Sequence, residues 1–209
     1  FTQLNEEFAP QNPSFDIFRI LPFLFRALHV PMEIKNEFAN YSVRSTQASA
    51  VLDLIERGSS FLRLCTHYDP IVKASLDTAK IKGIDRGESE ALAQAPTIQI
   101  SFFITDDYRC SQAIATHYRH IRCVNSLTIL AALDLNRIFT ERDTIFTLFL
   151  RNYQKPGKSH KSDKKKTHGK KSGLSPLLRA AYEQAIFHYG IACNPKELSH
   201  LCSVKRLSL

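Results

Sequence analysis

The sequence predicts an α/β fold built on a parallel sheet, and three observations predict it. Helix-like and strand-like stretches alternate along the first 135 residues, the order that strand–helix–strand units impose. Residues 98–104 form an apolar strand whose second half has no polar break, as expected of a strand covered on both faces. The chain has 209 residues, 44% of them hydrophobic, enough for one sizeable core.

Taken in order, residues 1–14 are polar, contain Pro10 and Pro13, and read as a loop. Ser14 or Asp16 can cap a helix reaching about Leu28, with Ile17, Leu21, Leu24, Phe25 and Leu28 on one face and Pro22 in its early turns. His29, Val30 and Pro31 end a short strand. A second helix starts over residues 32–38, with Glu33 in the first turn, where the helix dipole favours an acid. Residues 47–57 make a third helix, ended by Gly58, and residues 61–65 a short strand.

Asp69 or Asp77 opens the next helical stretch, through about Lys82. Gly83 and Gly87 bracket a turn, and residues 88–95 are a helix stopped by Pro96. After the strand at 98–104, residues 108–118 are helical, 120–124 a strand and 126–135 a helix. Ser175 caps a helix over 177–189, ended by Gly190, and residues 195–201 form a last short helix.

Charge is concentrated in one place. Residues 155–172 hold eight Lys and one acid, Asp163, so this segment carries +7 of the formal +8 and the remainder is nearly neutral. With no hydrophobic pattern it reads as a flexible basic insertion. It could neutralise nucleic-acid phosphates but has no aromatic residue for base stacking; the alternative is a solvated tether. The predicted division is 1–154 as the α/β domain, 155–173 as the insertion and 174–209 as a C-terminal helical segment. The five Cys are widely spaced and odd in number, which argues against a disulfide framework or zinc site and for a reducing, cytoplasmic setting. No apolar run approaches the roughly 18 residues of a membrane span. The chain begins at Phe1 rather than Met, and its true start is expected upstream.

The residues that suggest chemistry are carboxylates: Glu37, Glu88, Glu90, Asp106 and Asp107. In an open α/β sheet, strand ends and helix starts meet at one edge and sites form there. Acids gathered at such an edge repel one another, and a divalent metal with a preference for hard oxygen ligands relieves that repulsion. Glu88 and Glu90 are two apart on a helix, so one of them is expected to face the site. Each acid alone also reads as a helix cap, Glu88 for its own helix and Asp106 or Asp107 for the helix at Tyr108.

Three stretches together resemble PIN-like domains. Pro31-Met32-Glu33-Ile34-Lys35-Asn36-Glu37 is similar to the motif Pro-x-x-Val/Ile-x-x-Glu. Arg86-Gly87-Glu88-Ser89-Glu90-Ala91-Leu92-Ala93 resembles the Gly-Glu-x-Glu-Ala motif of a prokaryotic subgroup. Phe103-Ile104-Thr105-Asp106-Asp107-Tyr108-Arg109 resembles that subgroup's Thr-Asp-Asp motif, with Ala113 or Ala115 at the later small position. The resemblance covers about residues 15–135. It implies a three-layer fold with a central parallel sheet, here with a C-terminal helical extension. It also implies a Mg²⁺- or Mn²⁺-dependent ribonuclease, a class that includes toxins of toxin–antitoxin pairs, with Glu37, Glu88 and Asp106 or Asp107 as catalytic and metal-binding positions. RNA is then the expected substrate, an antitoxin-like protein a candidate partner and a homodimer a candidate assembly. The family's first acid, on the opening strand, is expected at or just before Phe1. The rival expectation is a catalytically impaired PIN-like module that binds RNA or a protein. A weaker third is a phosphatase-like enzyme, for which no Asp-x-Asp nucleophile is present.

Among the remaining polar groups, His117 and His120 flank a helix end and read as structural. Cys65-Thr66-His67 has no third partner for nucleophilic catalysis. Arg109 could contact phosphate or pair with Asp106.

Overall fold

A computed structural model of the chain describes residues 20–43, 46–58, 60–79, 84–138 and 174–202. These residues form mixed helix and strand with parallel pairing, the α/β class expected. They divide into two compact units, one through Ser126 and one from Leu127. The expected boundary at 154/155 and the basic insertion lie outside the described residues.

In the first unit, β1 (Leu28–Pro31) pairs in parallel with β2 (Leu62–Cys65), Leu28 opposite Leu62. The crossover between them is helical, α1 (Met32–Ser42) followed by α2 (Thr46–Glu56). Ala48, Val51 and Ile55 lie on one face of α2 at helical spacing, and the latter two pack with Val30 and Leu62. Gly58, at φ 71°, ends the turn after α2 in a left-handed conformation that glycine adopts without strain. Asp69 Oδ1 accepts the N–H groups of Ile71 and Val72 and so caps α3 (Pro70–Ala79).

Next come α4 (Arg86–Ile98), β3 (Phe102–Ile104), α5 (Tyr108–His117) and β4 (Arg122–Val124). β3 and β4 pair in parallel, Phe102 opposite Arg122. Leu76, Leu92, Phe103, Cys110, Ile114 and Ile121 form the core that seals this half. Among the described residues the strands make two separate two-stranded sheets, β1–β2 and β3–β4.

Four expectations about elements are corrected. The helix expected to reach Leu28 does not: a short 3₁₀ turn occupies Leu21–Phe23 and β1 opens at Leu28. Pro22, lacking an N–H, sits where only the first turn of a helix tolerates it. Conversely, Pro96 does not end α4, which runs on to Ile98 and stops at Gln99, a left-handed residue at φ 51° whose N–H donates to the Ala95 carbonyl. The strand expected over 98–104 is therefore reduced to three residues. Gly87 belongs to the first turn of α4 rather than to a preceding turn.

The second unit is helical over its described residues: α6 (Ser126–Leu135, its first residue lying in the first unit), α7 (Leu174–Tyr189) and α8 (Pro195–Leu201). Leu178, Ala181, Tyr182 and Ala185 make the buried stripe of α7. The Tyr182 hydroxyl donates to Asp134, and the Thr128 hydroxyl bonds Gln184 at 2.9 Å, tying α7 to α6. No described helix is long and apolar enough to cross a membrane.

Candidate functional site

The site is built around the first turn of α4. Asp85 caps it reciprocally: Asp85 Oδ1 accepts the Glu88 N–H and Glu88 Oε2 accepts the Asp85 N–H, both at 2.9 Å. The other Glu88 oxygen faces the Thr105 hydroxyl at 3.5 Å. The Cys110 thiol also hydrogen-bonds Glu88. Burial first and this bond second push that thiol's pKa far above its ordinary value. Glu88 is thus held between the end of β3 and the start of α5.

Glu90, one turn face away, is buried and accepts the N–H groups of Met32 and Glu33, each at 3.1 Å. It stabilises the open N-terminus of α1, where backbone donors and the helix dipole favour an anion. Glu88 therefore faces the site while Glu90 anchors β1 and α1 to α4.

Glu37 joins this edge from α1. A Cβ built on Gly87 would lie 2.8 Å from Ile34 Cδ1 and 3.6 Å from Glu37 Oε1, so α1 rests directly on the Gly87 backbone and the Glu37 carboxylate lies beside it. The Glu37 pKa is raised, first by burial and then by repulsion from Asp85, Glu33 and Glu88. Arg86 sits 3.5 Å from Glu33 in an exposed contact, too solvated to offset much of that charge.

The adjacent aspartates have separate duties. Asp106 Oδ1 accepts the Ser126 N–H at 2.8 Å and Oδ2 the Ser126 hydroxyl at 2.6 Å. Asp107 Oδ1 caps α5 by accepting the N–H groups of Arg109 and Cys110, and its own N–H donates to Thr105 Oγ1. Thr105 thus links Asp107 to Glu88.

Glu37, Asp85, Glu88, Thr105, Asp106 and Ser126 all line one cavity of about 1230 Å³, at the end where β1 and β3 finish. Its remaining wall is largely apolar, including Leu24, Phe25, Val51, Ile55 and Phe103. Carboxylate oxygens suit a hard divalent cation, and Glu37 and Glu88 both line this cavity. Among the described residues, no three His, Cys, Asp or Glu side chains are arranged to hold a metal ion.

Asp85 and Ser126 were not singled out in the sequence. Asp85-x-x-Glu88 is a legible capping box, whereas nothing local to Ser126 announces its bond to Asp106, twenty residues away. His117 and His120 are exposed, the latter stacked edge-on with Tyr118, and Cys65 is buried with its thiol directed at the His67 carbonyl. His160, His168 and the Lys-rich segment lie outside the described residues. In comparisons with known proteins, no family model, no curated protein and no solved structure matches this chain.

Proposed function

We propose that the chain is a PIN-like, divalent-metal-dependent ribonuclease whose reacting edge is the acid-lined end of this cavity. The observation that carries the reading is convergence: Glu37, Glu88 and Asp106, distant in sequence, line one cavity. A single central sheet within a three-layer fold belongs to the same proposal, supported by the two parallel pairs and their helical crossovers. A Mg²⁺ or Mn²⁺ ion held by Glu37 and Glu88 would supply an acidified water and offset charge on the phosphate. The chain's own contribution is positional. Asp85, Thr105 and Cys110 fix the Glu88 carboxylate, and α1, resting on Gly87, carries Glu37 to it. RNA is the substrate this reading requires, and an antitoxin-like protein its natural regulator.

One observation favours a second reading, a catalytically impaired PIN-like module that binds RNA or a protein. Both Asp106 oxygens are engaged by Ser126, which makes that acid a structural tie within the first unit.

Thermal unfolding with and without Mn²⁺, together with cleavage of labelled RNA, separates the two. The nuclease reading expects Mn²⁺ to raise Tm and support cleavage, with both lost in Glu88→Gln. Absence of both effects in the intact protein overturns it. RNA binding without metal-dependent cleavage supports the second reading.

A further inference from the structure

The cavity that holds the acid edge also has cations in its wall. His29 on β1 lies directly opposite Arg63 on β2. Side chains alternate between the two faces of a strand. Leu28, Val30, Leu62 and Leu64 pack into the apolar cluster formed with α1 and α2, so His29 and Arg63 share the opposite face. His29 is half-buried and Arg63 exposed, and both line the cavity, as does Arg26, exposed in the connection before β1. Burial first and then the Arg63 charge hold the His29 pKa below its ordinary value, so the guanidinium acts directly on the ring. Arg63 Nε donates to the Ser60 carbonyl at 3.0 Å, which braces the guanidinium and leaves its Nη groups as donors. The ion pairs among the described residues engage Lys35, Arg57, Arg86 and Arg179, and none engages Arg26 or Arg63. Cations gathered without an acid repel one another, and a bound anion relieves that repulsion.

We propose that Arg26, His29 and Arg63 form a phosphate subsite, and that it holds a phosphodiester of the same RNA strand whose scissile phosphate meets the acid edge. That the strand is RNA rests on the nuclease reading; the phosphate subsite rests on the cations alone. Size favours a polymer over a small ligand, because the cavity's volume of about 1230 Å³ exceeds the roughly 300–1,000 Å³ of ordinary ligand pockets. Charge favours a repeating anion. One phosphate held through a metal at Glu37 and Glu88 would leave the cationic wall unpaired, whereas a polynucleotide repeats its phosphate at every residue and can satisfy both. An arginine guanidinium matches a phosphate with two parallel N–H donors, and the His29 ring adds a donor beside it. Such contacts position a strand without reading its bases. β1 ends at Pro31 and leads straight into α1, the helix that bears Glu37. A phosphate held at His29 and Arg63 therefore sets the register of the strand against the acids.

Binding to the full chain in chelator, without metal, tests this apart from any cleavage. The probes are inorganic phosphate and a short labelled oligouridylate, read by the NMR signals of the His29 ring and, for the oligonucleotide, by fluorescence anisotropy across a salt series. Both probes should shift the His29 ring. Arg63→Ala should abolish the shift, weaken the oligonucleotide about 10-fold at low salt and lower the slope of log affinity against log salt by about 1. Arg63→Lys keeps the charge without the fork and should retain most of that slope. Arg26→Ala, which alters no strand residue, should give a loss in the same direction, so the result does not hang on the integrity of β2. The Lys-rich segment is identical in every variant, and its contribution to binding cancels. Unchanged affinity and salt slope in Arg63→Ala, or a His29 ring that neither probe shifts, overturns the proposal. A shift with inorganic phosphate but none with the oligonucleotide overturns the assignment to RNA. Failure of Mn²⁺-dependent cleavage with the binding results intact overturns the nuclease reading and leaves the phosphate subsite standing.

Discussion

Glu90 Oε2 accepts the backbone N–H of Glu33 at 3.1 Å, joining the interior of α4 to the first turn of α1 across 57 residues of sequence. Its other oxygen takes the neighbouring Met32 N–H. One buried carboxylate thereby fixes the angle at which the chain leaves β1 and enters α1, and with it the position of Glu37. The contact is a structural precondition for the acid edge, not a member of it.

Glu90→Ala should cost about 2–3 kcal/mol, because two backbone donors at a helix start lose a charged, largely desolvated acceptor. Glu90→Gln keeps one carbonyl acceptor but turns an amide donor toward the second N–H, so it should lose less yet still be destabilised. Urea unfolding of the three proteins checks the order. Equal stability of Glu90→Ala and the parent chain would show that α1 is held by packing alone.

Glu37 carries a pH dependence of definite sign. Its folded-state pKa is raised, by burial and then by neighbouring acids, so over the window between the unfolded and folded values the folded state holds more protons. Stability therefore falls as pH rises through that window. Glu37→Gln removes the repulsion and should raise Tm at pH 7 in the presence of a chelator. The gain should vanish below pH 4.5, the ordinary glutamate value. A gain that persists unchanged into acid would point to packing rather than charge.

The sequence was most legible where a local rule decides the outcome. Gly58 ends a helix and adopts the positive φ expected of it. Ser126–Leu135 and Pro195–Leu201 begin and end where their apolar runs and caps place them. Legibility failed at the prolines, where the decisive contacts are tertiary or positional. Pro22 stands in a short 3₁₀ turn where the apolar face favoured a continued helix, and Pro96 was absorbed near the end of α4, where the chain exits through Gln99 instead. The acids divide the same way. The cap at Asp107 follows from its place before α5, but the burial of Glu90 beneath α1 and the capture of Asp106 by Ser126 depend on partners 57 and 20 residues away. No window of local sequence contains them.

In the second unit, Tyr182 is fully buried and its hydroxyl donates to Asp134, itself nearly buried on α6. Tyr182→Phe preserves the ring packing and deletes only this donor. A hydrogen bond to a charged group contributes about 1.5–3 kcal/mol, and that is the expected loss in denaturant unfolding. A loss below about 0.5 kcal/mol would mean that Asp134 is fully satisfied by its other surroundings.

None of the five cysteines forms a disulfide, and their environments rank their reactivity. Cys65, Cys110 and Cys202 are buried, whereas Cys123 and Cys193 are partly exposed. Burial pushes the Cys123 thiol up to about 11, so roughly one such thiol in a thousand is ionised at pH 8, and the thiolate is the reacting form. The Cys193 thiol is also raised, by its slighter burial and then by Glu197, yet it is the more accessible to reagent. Iodoacetamide at pH 8 followed by peptide mass mapping should therefore modify Cys193 first and Cys123 more slowly. Cys65, Cys110 and Cys202 should react only after unfolding. Early modification of Cys110 would be the telling exception. Its thiol donates to Glu88, and access to it would require the junction of β3, α4 and α5 to open, dismantling the acid edge in the native state.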